Sequence, residues 1–355
     1  MPESTDTLVA IGGYTDADAP TPDGLTTWWW DGATGIEPAG SAQLPSPSFV
    51  CWHPRMQVLY AVSELDAGTV TALRVADDGV LAPAITIATG GSLPCWVTTD
   101  PGGHALLIAN YGSGSATVVE LDDAGLPTGR PRIVPHRGSG PVAGRQDGPH
   151  VHQLVPTADG FVLATDLGTD RIAEYRIDPG PGGDTGEDTV TEVGSIAMPA
   201  GSGPRHIALA ADGRTGFVSG ELDATVTTIR RDTEADGRWA AVGQVPCSGR
   251  PGAQPSHLQL AGGGRWLLVA NRGTDTLAVL DVADGLRIGH EVPTGRTPRY
   301  FVADGHRVLV ACQGSGTVSL LTLDETDGSL TPVGALSSGG AAATVPAPSC
   351  VALRR

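Results

Sequence analysis

Pro47, Pro94, Pro149, Pro204, Pro255, Pro298 and Pro348 stand 43 to 55 residues apart. Each opens a copy of one pattern: a short apolar run, a turn that usually contains Gly, a second apolar run ending in a small or polar residue, and another β-like run. The clearest copies are "GPRHIALAADGRTGFVSGELDATVTTI" from Gly203 and "PSHLQLAGGGRWLLVANRGTDTLAVLDV" from Pro255. A period of this length holds about four short strands and is the signature of propeller blades. Six copies are continuous. The seventh is split, its first strand being "APSCVALRR" at the C-terminus and its next strands "LVAIGGYT" and "TTWWWD" near the N-terminus. Ring closure requires such a split, so the chain, residues 1–355, is expected to be all-β: one seven-bladed β-propeller domain of four-stranded antiparallel blades, the last built from both termini.

Composition agrees with many short strands joined by turns, with 50 Gly, 28 Pro and 40 % hydrophobic residues in a chain of 355. The formal charge of −17, from 22 Lys and Arg against 39 Asp and Glu, provides no basic stripe, so nucleic acid is not an expected partner. It also repels small anions at long range, so a site for one must gather its few arginines locally. No run approaches the roughly 20 apolar residues of a membrane span, and "MPESTDTLVAIGGYT" carries acids where a secretory signal has basic residues. Cys51, Cys95, Cys247, Cys312 and Cys350 show no C-x-x-C spacing. They read as buried free thiols, and the expected compartment is the cytoplasm. The protein is expected to be a monomer or a weak homo-oligomer.

Within each copy the first strand runs to the turn and the second returns beside it, so the start of one and the end of the other share a rim. Aligned on the apolar residue of the first strand, the leading slot holds Ser48, Cys95, His152, Arg205, Ser256, Arg299 and Ser349. The slot ending the second strand holds Glu64, Tyr111, Leu167, Glu221, Arg272 and Gln313, with Gly13 or Tyr14 in the split copy. One rim therefore collects a histidine, three arginines, two glutamates, a glutamine and a tyrosine around the axis, while the other carries ordinary turn chemistry. This asymmetry marks a functional mouth suited to a small anionic molecule. Singly, Arg205 and Arg299 could instead tie blades together, and Glu221 could simply pair with Arg272.

The H-x-H of "GPHVHQLV" fits a metal pair, acid/base groups or a polar strand edge. His150, His152, His257 and Glu221 could assemble a metal site in principle. Cationic Arg205, Arg272 and Arg299 at the same rim oppose a metal cation, so no metal is expected. His152 falls in the slot that Arg205 and Arg299 occupy elsewhere; His150 lies further out, either contacting substrate or solvated. His104, His136, His290 and His306 are expected at the surface, and His53 near a turn away from the mouth. Trp28, Trp29 and Trp30 alternate faces of a strand and are expected to pack the closing blade.

By "IGGYT", "ANYGSGS", "PHVHQ", "GSGPRH", "GEL", "ANRGTD" and "TPR" followed by "ACQ", in this order over essentially the whole chain, the sequence resembles the seven-bladed lactonase family. That family includes propeller-type 6-phosphogluconolactonases and fungal-type carboxymuconate lactonising enzymes. The resemblance implies a site of His152, Arg205, Glu221 and Arg272, with Arg299, Gln313, Asn110 and Tyr111 contributing. Two positions depart from the family pattern: Gly220 stands where Asn usually precedes the glutamate, and "PSHL" with His257 stands where an acidic residue usually begins a strand. Both bear on the substrate more than on the fold. Lactone opening needs an activated water and a cradle for negative charge. His152 is expected to be the general base, Glu221 to orient a partner or water, Arg205 and Arg272 to bind the anionic group and developing charge, and Arg299 and His257 to set specificity. No Ser lies in a G-x-S-x-G elbow, and the chemistry requires no cofactor. Lactone closure or another cyclisation or isomerisation could use the same groups. A non-catalytic ligand- or protein-binding propeller would instead show an apolar patch on its loops.

Overall fold

The structure, a computed structural model, describes residues 6–15, 24–178, 189–232, 237–339, 341–342 and 345–354. The irregular insertion expected from Pro179 and the first five residues lie outside the described residues. Seven four-stranded antiparallel sheets follow one another around a ring. Blade 1 starts at Pro47–Trp52, blade 2 at Pro94–Thr99, blade 3 at Val151–Pro156, blade 4 at Pro204–Leu209, blade 5 at Pro255–Ala261 and blade 6 at Pro298–Asp304. In blade 7 the C-terminal strand Pro348–Leu353 pairs with Thr7–Gly13, which pairs with Leu25–Trp30 and then Ile36–Ala42. The split seventh copy thus closes the ring as expected.

Burial follows from position within a blade. The second strand has neighbouring blades against both faces, so it reads as a continuous apolar run without alternation, as in Val58–Ser63, Ala105–Asn110 and Trp266–Asn271, buried throughout. The outermost strand faces water, and Leu81–Ala88 and Trp239–Pro246 are mostly exposed. Trp30 is buried, and Trp28 and Trp29 pack on different core clusters, in keeping with alternation along their strand. The cysteines are free, four buried and Cys51 half-buried. Among the described residues no helix is long and apolar enough to cross a membrane.

Polar ties stitch adjacent inner strands together. Ser349 Oγ donates to Ser48 O at 2.8 Å, Ser256 Oγ to Pro298 O at 2.7 Å, and Gln153 Oε1 accepts from Ile207 N at 2.6 Å. These groups, buried where water cannot reach them, would be costly if unpaired, so they favour one registry of the ring.

Candidate active site

Every blade interrupts its inner strand pairing at the same place. The partners shift between Pro47 and Phe49, Pro94 and Trp96, Val151 and Gln153, and Pro298 and Tyr300, and likewise in the other three blades. In five blades the residue left out is the leading-slot residue; in blades 4 and 5 the irregularity spans it and the next, Arg205 with His206 and Ser256 with His257. A bulge leaves its extra residue outside the ladder and re-aims it, here toward the axis. The slot comparison therefore located a backbone device that recurs in all seven blades.

The bulges border a narrow cleft with a free volume of only about 10 Å³, which His152, Arg205, Arg299, Glu64, Tyr14 and Cys95 help to line. Tyr14, rather than Gly13, supplies the blade 7 side chain. Arg299 donates to Tyr14 Oη at 2.6 Å, and Tyr14 donates in turn to Glu64 at 2.7 Å. Cys95 Sγ lies 3.7 Å from His152 Nδ1. Burial foremost, with Glu64, pushes its thiol above the ordinary range, so it is not a nucleophile at neutral pH. A larger and more apolar groove opens between blades 2 and 3, lined by Asp100, His104, Glu120 and Phe161. It gathers no arginines, in contrast to the mouth.

Glu221, at the end of the second strand of blade 4, is the hub. Its Oε2 lies 2.9 Å from Arg205 Nε and 2.6 Å from Arg272 Nη2, and its Oε1 lies 2.6 Å from Arg145 Nη2. Burial would raise its carboxyl, but Arg272 and Arg205 outweigh burial and hold it far below the usual carboxylate range. Burial, Arg272 and Arg299 lower Arg205 to about 9, so it remains cationic at neutral pH. Burial foremost, then Arg205 and Arg299, pushes His152 well below its ordinary value, and the ring is neutral at pH 7.

Beneath the mouth lies a row of rings. His206 stands edge-on to His152 at 5.1 Å and to His257 at 5.1 Å, and His257 lies 4.1 Å from Tyr300. His206 Nε2 is 3.3 Å from Arg205 Nη1, and its Nδ1 is 2.9 Å from His257 Nδ1. A guanidinium has no acceptor, so His206 Nε2 must be the lone pair. Its proton then sits on Nδ1 and is donated to His257 Nδ1, which leaves the His257 proton on Nε2. Burial lowers both rings well below the ordinary value, which suits this neutral chain. Arg205 is thereby held from one side by His206, from a second by Glu221, and from a third by the Ser256 carbonyl.

The structure brings His152, Arg205, Arg299 and Glu64 to the cleft and places Arg272 behind Glu221. His150 stacks on Tyr111 at 4.4 Å, and the same Tyr111 meets His152 edge-on, so this pair flanks His152. His257 lies below the mouth, reaching it through His206. Asn110 is fully buried within blade 2, donating to Thr117 Oγ1 at 2.9 Å, and Gln313 opens a short 3-10 turn. Neither lines the cleft. Among the described residues no group of three metal-ligating side chains is assembled, including the His150, His152, His257 and Glu221 set. A Cβ at Gly220 would press on Asp223 and Thr225, so those side chains occupy the space an Asn would need.

Two histidines differ from expectation. His136 is buried, not at the surface: its Nδ1 donates to Asp166 at 2.7 Å and its Nε2 accepts from Tyr175 at 2.6 Å. His290 is half-buried within the outer strand Arg287–Pro293. Sequence comparison also missed two residues of the site. His206 follows the slot residue, and strict alternation turns it from the axis; the bulge overrides alternation. The available signal was the next position across blades, where Phe49, Trp96, His257 and Tyr300 are also rings. Arg145 comes from the irregular loop before blade 3 and has no counterpart to compare.

A family model, "Lactonase, 7-bladed beta-propeller", matches residues 8–353. A 6-phosphogluconolactonase of Bacillus subtilis is 30 % identical over 327 residues, 89 % of each chain. Among solved structures, a putative 6-phosphogluconolactonase of Bacteroides fragilis superposes with a TM-score of 0.89 at 27 % identity, covering 100 % of both chains. A periplasmic gluconolactonase of Pseudomonas aeruginosa gives 0.85 at 27 % identity, covering 98 % of this chain and 99 % of its own. With the fold, the split blade and the match over nearly its whole length in agreement, the chain belongs to the seven-bladed β-propeller lactonase family.

Proposed function

We propose that the protein hydrolyses a small anionic lactone of the 6-phosphogluconolactone type. The observation that carries this reading is one cleft holding an unprotonated buried histidine, His152, with two guanidinium groups, buried Arg205 and half-buried Arg299. His152 takes a proton from water as the water adds to the lactone carbonyl. Arg205, fixed on three sides, faces the oxyanion without having to reorganise, which is where electrostatic catalysis gains most. The tetrahedral intermediate then collapses, the ring C–O bond breaks, and the imidazolium returns its proton to the leaving alkoxide, giving the hydroxy acid. Glu221 is committed to its arginines and acts as their template rather than as a base. Arg299, on its Tyr14–Glu64 relay, adds positive charge beside Arg205 in the same cleft. The relatives named for 6-phosphogluconolactone and gluconolactone support this class of substrate.

The decisive assay offers purified protein 6-phosphogluconolactone, gluconolactone and a muconolactone, with His152→Ala as control. Hydrolysis of the first, reduced about 10²- to 10⁴-fold in a folded variant, is expected for loss of a general base. Near-full activity of His152→Ala removes it as base. Inactivity of the native protein on all three removes hydrolysis. A purely binding propeller has less support, since among the described residues the exposed large apolar side chains, Val193, Val242 and Val333 among them, are dispersed over five blades.

A further inference from the structure

Arg145 reaches the mouth from outside the repeat. Its loop is fastened at both sides by buried polar groups. On one side His136 is bound by Asp166 and Tyr175. On the other, Gln146, 1 % exposed, donates to Leu167 O and to Asp170 Oδ1, each at 2.8 Å, and its own amide oxygen accepts from Val142 N at 3.1 Å. Asp166 also accepts from His150 N at 2.8 Å, tying the end of the same loop to the H-x-H strand. A loop anchored this way presents Arg145 at a fixed place while leaving its long side chain free to turn.

The guanidinium spans the sector above blade 3, touching both Tyr111 and Glu221. Its side chain is 42 % exposed, against 3 % for Arg205 and 15 % for Arg272. The three pairings of Glu221 are unequal in a second way. Arg205 and Arg272 share Oε2, whereas Arg145 alone takes Oε1. When Arg145 leaves, Glu221 keeps two cationic partners, buried Arg205 and half-buried Arg272, so its release does not strand a buried charge. Release of either of the others would remove a partner held deep in the site.

We infer that Arg145 is a capturing arginine: it exchanges Glu221 Oε1 for the substrate's anionic group, and so discriminates phosphorylated from neutral lactones. The inference rests on the lactonase reading and extends it by assigning the residue that sets charge selectivity. Substrate enters with its phosphate toward the solvent side, where Arg145 turns from carboxylate to phosphate in a bidentate contact. The lactone end then lies deeper, toward His152 and Arg205. No covalent step is involved, and four guanidinium groups at the mouth against the carboxylates of Glu221 and Glu64 leave positive charge for a dianion to neutralise.

The test compares 6-phosphogluconolactone with gluconolactone on the native protein, Arg145→Ala and Arg145→Lys. For Arg145→Ala the ratio of kcat/KM between the two lactones should fall about 10- to 100-fold, the range for losing one charged hydrogen-bonding partner, mainly through KM. Arg145→Lys should recover part of it. An equal loss on both lactones would mean that Arg145 only props Glu221, and an unchanged ratio with full activity would mean that it meets no substrate; either overturns the inference. If the native protein hydrolyses neither lactone, the lactonase reading fails separately. Calorimetric binding of 6-phosphogluconate against gluconate to the native protein and Arg145→Ala then decides the capture role alone. Preference for the phosphorylated acid that is lost in the variant supports capture, and equal binding in both overturns it.

Discussion

His152 and Glu221 are shifted in the same direction with opposite consequences. Because burial and the arginines lower the His152 value, its ring is unprotonated at neutral pH and remains so well below pH 6.5. The acid limb of the kcat/KM profile for lactone hydrolysis should accordingly lie well below pH 6.5, where an unperturbed histidine would place it. A profile breaking near pH 6.5 would show that another group is titrating. Glu221 stays ionised for a different reason: three guanidinium groups surround it, and its charge offsets part of theirs. Glu221→Ala leaves Arg205 buried, and Arg272 half-buried, without that partner, and removing one member of a buried ion pair such as Arg205–Glu221 costs about 3–5 kcal/mol. The variant should lose activity and unfold at a distinctly lower denaturant concentration. A fold of unchanged stability would show that the arginines find other partners.

At the scale of elements, the inner strands of blades 3, 4 and 5 set His152, His206 and His257 side by side in the neutral form. All three are buried and have lowered values, so below pH 6.5 the unfolded chain binds protons that the folded chain refuses. Stability then falls as pH drops, by about 1.4 kcal/mol per pH unit for each such group between its unfolded and folded values. Thermal unfolding followed from pH 7.5 to pH 5 should show the midpoint declining below about pH 6.5, and His257→Phe should make that decline shallower. The same strands explain Arg205. His206→Phe keeps a ring in the row but removes the lone pair that meets Arg205. Its kcat should fall about 10-fold, the order of one charged hydrogen bond, and thermal unfolding should come earlier, because buried His257 Nδ1 loses its donor. An unchanged kcat would mean that Glu221 and the Ser256 carbonyl suffice to hold the guanidinium.

For the whole molecule, closure is the decisive feature. The strand Pro348–Leu353 is the innermost of blade 7, paired with Thr7–Gly13 and packed against the first strands of blades 1 and 6. Val351 and Cys350 are buried there. Removal of residues 348–355 opens the ring and uncovers inner strands of both neighbours, whose edges become free to pair with other chains. The truncated chain should lose its cooperative thermal transition or aggregate on expression, while removal of residue 355 alone should not. Survival of a folded, active truncation would show that the other six blades hold the mouth without closure.

The sequence by itself determined the blades, their number and the way both ends meet, because each blade needs the same strand chemistry and repeats it at a readable period. It also placed His152, Arg205, Arg299 and Glu221 at one rim, since antiparallel return puts the start of one strand beside the end of the next. What these residues do to one another was settled only by the tertiary structure. His206 was hidden because a bulge, a backbone event without a sequence code of its own, turned it inward. Arg145 was hidden because its loop belongs to no repeat. Asn110 and Gln313 sit in repeat positions but away from the cleft, and His136 was buried by partners 30 and 39 residues along the chain. Periodicity reports which positions are equivalent; charges, tautomers and contacts depend on which side chains meet across blades, and that is decided by packing around the axis.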